Sequence, residues 1–200
     1  MPSLCLLLAL FLCNFSNMRG GGVIRSFVTS IPHRLKTIID MIPPGSIVAD
    51  IGADHGILSV SLLNNAKKVY SVELSPLAAS NGVSKLVNLL DSDKRNKIEV
   101  LVGDGVTALL EVKDIRNVDT LVMAGMGSIS ILQILVRDNK MTLDCTPRLR
   151  NLSHLSSLGI SQIILQIWPP NLLPMLKLTR FLMDNSWICH QVNIFTVRYL

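Results

Sequence analysis

The chain has 200 residues, enough for one domain, and its 49% apolar content supports a buried core rather than a disordered polymer. Its formal charge of +5 is unevenly placed: the first 40 residues hold Arg19, Arg25, Arg34 and Lys36 against Asp40 alone, and the remaining 160 carry 15 basic and 13 acidic residues. Bulk charge therefore does not mark the folded part as a nucleic-acid binder, and four scattered cysteines without a C-x-x-C spacing argue against a disulfide framework or a structural zinc site.

The apolar run over residues 4–13 has the length of a signal-peptide core and is too short to span a bilayer comfortably. The acid-free, Ser-, Gly- and Arg-rich stretch from Asn14 to Lys36 has the composition of an organellar transit peptide. Together they read as a leader over residues 1–30, outside the fold, directing the chain to a plastid-like organelle or mitochondrion. The alternative is a start at Met18 and a cytoplasmic protein. No stable membrane association is expected once the leader is removed.

Residues 31–200 read as one domain. His33 to Ile42 has apolar residues at helical spacing and is stopped by Pro43-Pro44-Gly45. A strand is expected at about 46–51, a helix at 57–65 and a strand at 68–73. Ser75-Pro76 opens a helix through about Leu90, with Ser as the cap and Pro in the first turn. Ile98 to Val102 reads as a third strand, Val106 to Val112 as a short helix, Val118 to Met123 as a fourth strand, and Ser128 to Val136 as a helix. Residues 138–160, polar with Pro147, read as an inserted loop. Ile163 to Ile167 is a fifth strand, a helix then runs to about Asp184, and Trp187 to Val197 is a sixth strand. This alternation predicts an α/β, Rossmann-like, doubly wound and mostly parallel sheet, possessing its ligand-binding loops along the carboxyl edge and lacking its last strand.

The most informative stretch is I-V-A-D-I-G-A-D-H-G over residues 47–56. A strand ends in Asp50, and a tight turn carries Gly52, Asp54 and His55 into a helix. A second acid, Glu73, follows 23 residues after Asp50 at the tip of the next strand, a placement suited to the two hydroxyls of a ribose. Where a dinucleotide fingerprint has its second glycine, this turn has Asp54, which would repel a pyrophosphate and attract an ammonium and a sulfonium. The pattern therefore favours S-adenosyl-L-methionine over a dinucleotide. Gly103-Asp104-Gly105 offers an acceptor for an adenine amino group, or a simple helix cap. Gly125 and Gly127 leave room beside the backbone for donor or substrate, or serve close packing.

The stretches H-R-L-K-T-I-I-D-M-I-P-P-G-S-I-V-A-D-I-G-A-D-H-G, V-E-L-S-P, V-G-D-G-V, M-A-G-M-G and I-L-Q…P-N resemble the bacterial tRNA adenine-N1 methyltransferases that modify adenine 22. The resemblance runs from about His33 to Trp187. It implies a Rossmann-like class I S-adenosylmethionine-dependent methyltransferase domain acting on tRNA, with a helical tRNA-holding domain that would come after about Leu200. It also implies roles for particular residues. Asp50, Gly52, Asp54 and His55 would line the methionine end of the cofactor, Glu73 would hold the ribose and Asp104 the adenine. Gly125 to Gly127 would edge the target-base pocket, and Arg34 would face the substrate. Asn171 would be the polar group near the target base, displaced by three extra residues after Gln166. Ser128 stands where the family has a further glycine.

Adenine N1 carries a free lone pair, so methyl transfer needs alignment more than a base. The product is cationic, and Asp54 is the candidate to stabilise it. The alternatives carried alongside are a cofactor-binding but inactive relative and a methyltransferase for another substrate. The partner expected is tRNA, and no metal is expected.

Overall fold

The computed structural model describes residues 5–10, 31–113, 115, 117–136, 155, 157–168, 172–184 and 188–194. In chain order its elements are β1 (Cys5–Leu10), α1 (His33–Asp40), β2 (Ile47–Ile51), α2 (Ile57–Leu62), β3 (Lys68–Glu73), α3 (Pro76–Asn81), α4 (Val83–Asn88), α5 (Ser92–Arg95), β4 (Ile98–Val102), α6 (Val106–Leu110), β5 (Thr120–Met126), α7 (Ser128–Val136), β6 (Gln162–Ile167), α8 (Leu172–Asp184) and β7 (Ile188–Ile194). Every strand expected from the sequence is present within three residues at each end over the described range.

The described strands form one sheet in the order β4-β3-β2-β5-β6-β1-β7, and the pairings are parallel. A parallel sheet needs cover on both faces, and the strand sequences show it, being apolar at successive rather than alternate positions. Ala49, Ile51, Leu121, Met123, Ile163 and Leu165 face one core, which α6, α7 and α8 close with Leu109, Ile131 and Leu178. The intervening Val48, Val122 and Ile164 face the other, closed by Leu35 and Ile38 of α1, Leu58 and Leu62 of α2, and Val83 of α4.

Two segments bear on the expected domain bounds. The apolar segment expected to stand apart from the fold is, over Cys5–Leu10, a strand lying between β6 and β7. Six apolar residues in a row suit an interior parallel strand as well as they suit a leader core, and β1 takes the place beside β6 in a sheet expected to be one strand short. The segment at 138–160 is described only at its end. There Leu155, Leu158 and Ile160 are buried in the α7 and α8 core, so its last turn is part of the packing.

The helix expected from Ser75 to Leu90 is broken at Gly82 into α3 and α4. The cause is a close approach. A side chain at position 82 would place its Cβ 2.0 Å from the carbonyl oxygen of Asp54, so only glycine lets the β2–α2 loop lie against this point. The break then frees the Val83 amide to donate to that same carbonyl, at 3.2 Å.

Candidate active site

The chain runs from β2 outward to β3 and β4, then returns across β2 to β5 and β6, so the strand order reverses between β2 and β5. In open α/β sheets ligands bind outside the carboxyl ends of the strands at this reversal. A cavity of about 300 Å³ lies there, at the lower end of the range for small-molecule sites. Its walls come from Gly52, Glu73 and Leu74, from the Gly103–Gly105 turn, and from Met126 with Ser130, Gln133 and Ile134 of α7.

Glu73 is fixed by the loop it borders. Its Oε2 accepts the Asp54 amide and its Oε1 the Leu74 amide, both at 3.0 Å. Each oxygen keeps a second lone pair, so a vicinal diol can still bind across the carboxylate. Gly52 and Ala53 donate their amides to the Val72 carbonyl, at 2.8 and 3.2 Å, which closes the turn against β3. Asp54 sits at the apex with φ +48°, a left-handed conformation uncommon outside glycine. Its side chain is 75% exposed, that of His55 is 73% exposed, and the two lie 3.6 Å apart; neither is among the residues that line the cavity.

Asp50 is placed differently. Its side chain is 2% exposed, one residue before the turn, and its Oδ2 accepts the Ser59 hydroxyl at 2.6 Å. Ser59 in turn lies 2.8 Å from the Ser71 hydroxyl on β3. The carboxylate therefore ties α2 to β2 and β3 beneath the cavity and does not face it. Burial raises its pKa from 3.8 to about 6, the Ser59 hydroxyl works against that rise, and the negative charge of Glu73 adds to it.

At the end of β5 the register with β6 shifts between Ala124 and Met126. Gly125 is the extra residue of this bulge, with φ +78° and nothing within 4 Å of where a Cβ would stand. Simple alternation would turn Met126 to the α1 face with Val122 and Ala124. The bulge instead brings it onto the face of Leu121 and Met123, where it packs on that core and walls the cavity. A Cβ at position 52 would stand 3.1 Å from Met126 Cε, so Gly52 and Met126 are matched across the β2–β5 boundary. Gly127 likewise has only ordinary contacts near its Cβ position, the nearest being the Trp168 carbonyl at 3.8 Å. The space beside both glycines is open, not consumed by helix packing.

Of the residues singled out in the sequence, Gly52, Glu73 and Asp104 line the cavity. Gly125 and Gly127 flank its Met126 wall, and Asp54 and His55 follow Gly52 in the turn, with the Asp54 amide bound to Glu73. Arg34 lies on α1, which packs on the sheet face opposite the α7 wall of the cavity, and its Nη1 donates to Gln166 Oε1 at 3.4 Å. Asn171 lies outside the described residues. Sequence reasoning missed Ser130 and Gln133, and it placed Met126 only within the 125–127 stretch at the edge of the target-base pocket, not as a wall of this cavity. The two polar residues, one helical turn apart in the apolar run S-I-S-I-L-Q-I-L-V, carried a usable signal. Met126 carried none, because a bulge is not visible in an apolar strand.

A doubly wound parallel sheet with a cavity at its β2–β5 reversal, a bent glycine turn after the first strand of the motif and a carboxylate at the tip of the second is the class I methyltransferase architecture. The chain belongs to the methyltransferase domain family, whose model matches residues 31–148. It is also similar to the tRNA (adenine(22)-N(1))-methyltransferase of Bacillus subtilis strain 168, with 35% identity over 110 residues, and it covers 42% of that enzyme's length with 52% of its own. An uncharacterized protein from Listeria monocytogenes serotype 4b superposes with a TM-score of 0.57 and 23% identity over 80% of this chain and 59% of that one, a likeness of fold. M. capricolum TrmK, solved with S-adenosyl-homocysteine, matches with 28% identity and a TM-score of 0.48 over 55% of this chain and 48% of its own.

Two outcomes follow from this geometry. Asp50 binds a proton more readily folded than unfolded, so between about pH 4 and pH 6 stability falls as pH rises, by about 3 kcal/mol if no other group titrates. Asp50→Asn, which keeps an acceptor for Ser59, is expected to flatten that slope in urea denaturation at pH 4.5 and 7; parallel curves for the two proteins would contradict it. Gly82→Ala is expected to lose about 1–3 kcal/mol of stability through overpacking against the Asp54 carbonyl. Hydrogen exchange at the Asp54 amide should quicken with it, as the loop is pushed off Glu73.

Proposed function

We propose that this chain is an S-adenosyl-L-methionine-dependent methyltransferase that methylates N1 of an adenine in tRNA. The observation that carries the cofactor half is the Glu73 carboxylate, held by two backbone amides at the cavity wall with lone pairs to spare for a diol. Asp104 lies on the same wall and is suited to the adenine edge, while the Gly52 turn and Met126 bound the methionine end. Asp54, where a dinucleotide site would need a glycine, weighs against a pyrophosphate. The cofactor, when bound there, supplies an electrophilic methyl group.

The tRNA half rests on the 35% identity to the Bacillus enzyme over 110 residues and on the chemistry of the acceptor. N1 of adenine has a lone pair in the ring plane and needs no base to become a nucleophile. What the protein must do is hold the base in line and keep it unpaired, because N1 lies on the Watson–Crick edge. The open space beside Gly125 and Gly127 gives a planar base room to approach. The exposed Asp54 carboxylate is placed to stabilise the positive charge that methylation leaves on the ring.

Calorimetry is expected to show binding of S-adenosyl-L-methionine and none of NAD. Glu73→Ala should weaken that binding by about 10- to 100-fold, as expected for losing a charged hydrogen-bond partner. Transfer of labelled methyl to tRNA, with the product digested and identified as N1-methyladenosine, tests the acceptor. Cofactor binding with no methyl transfer to any tRNA would leave an inactive relative or another substrate as the better account.

The leader is a separate proposal: that residues 1–30 direct import into an organelle and are then removed. Amino-terminal sequencing of the mature protein from its own cells tests it, with a first residue near position 30 expected. A mature chain that retains Cys5–Leu10 would favour the strand position seen for that segment.

A further inference from the structure

Alternate residues of a strand share a face, and β6 turns Gln162, Ile164 and Gln166 toward α1. Ile164 joins the core made by Leu35, Ile38 and Ile39. The two glutamines meet opposite ends of the helix. Gln162 Nε2 donates to the Met41 carbonyl at 3.2 Å, where α1 ends, and Gln166 Oε1 accepts from Arg34 Nη1, where α1 begins. The helix therefore lies antiparallel to β6, and Arg34 is delivered to the carboxyl edge of the sheet.

Gln166 is 1% exposed in a strand that is otherwise isoleucine and leucine around it. A buried amide costs stability unless its hydrogen bonds are met, and a leucine would fill the same space without that demand. Gln162 already pins α1 to the sheet at its other end, so anchoring the helix does not require a second amide. Gln166 also holds a guanidinium in place. Its strand partner is Ala124, the residue that opens the Gly125 bulge and the Met126 wall. Arg34 is thus held behind the loop that borders the open space beside Gly125 and Gly127. Among the described residues no carboxylate forms an ion pair with it. A neutral acceptor orients a guanidinium and leaves its charge and most of its five donors for an anionic ligand.

We propose that Gln166 is a positioning residue that fixes Arg34 at the carboxyl edge to engage a backbone phosphate of the methyl-acceptor RNA. This rests on reading the chain as a tRNA methyltransferase. Gln166→Leu in the full chain is expected to leave S-adenosyl-L-methionine affinity within about twofold while raising KM for tRNA about tenfold, the loss expected for a hydrogen bond to a charged group. Gln166→Glu, whose carboxylate would pair with Arg34 and take up its charge, should raise KM as well. Arg34→Ala should match Gln166→Leu, and the double variant should lose little more than either. Gln162→Leu, the control at the other end of α1, should alter stability without moving KM.

An unchanged KM in Gln166→Leu overturns the proposal, as do independent, multiplying losses for Arg34 and Gln166 or a loss in Gln162→Leu of the same size. If wild type binds cofactor and methylates no tRNA, the functional reading fails first and this inference with it. An active wild type with silent Gln166 variants removes this inference alone.

Discussion

A carboxylate buried at the centre of a parallel sheet is costly, and the site is arranged around it. Asp50 sits on β2, the strand next to the reversal of strand order, with hydroxyls of α2 and β3 gathered on one side. Removing a carboxylate from water is expensive unless hydrogen bonds replace the lost hydration, and here Ser59 of α2 supplies one, itself hydrogen-bonded to Ser71 of β3. Those bonds fix the angle at which α2 leaves the turn, and so where residues 52–56 travel. From that path follow the Asp54 amide on Glu73, the Asp54 carbonyl on the α3–α4 break, and Gly52 against Met126.

The strands and their order of use were legible in the sequence because a doubly wound sheet writes its burial plainly. β2, β3, β5 and β6 are apolar on both faces, and each ends in a glycine or polar loop. Glu73 and Gly52 were legible for the same reason, since a residue's distance from a strand end is conserved by the strand itself. Asp50 was harder. The residue type announced a site, but which face of the strand it occupied depended on a partner, Ser59, that looks like an ordinary residue in an amphipathic helix. The split at Gly82 was invisible for a related cause. A glycine within a helical pattern gives no hint that a loop thirty residues earlier lies against it.

The β5 bulge shows how a single irregularity redirects chemistry. Without it Met126 would pack toward α1, and the cavity would lose the thioether wall that stands over Gly52. With it, two consecutive strand ends, β2 and β5, present a turn and a flexible apolar side chain to one space. The methionine is well chosen for such a wall, being unbranched and polarisable, and able to adjust to a ligand without strain on the sheet.

The two amides on Glu73 have a consequence for the energetics of ligand capture. A glutamate side chain free in solvent samples many rotamers, and holding it still costs roughly 1–2 kcal/mol in lost entropy. Here the loop has already stopped it, so that loss falls on folding and not on the encounter with a ligand. A diol arriving at this wall meets a carboxylate already aimed, and the geometry that selects it exists before it arrives.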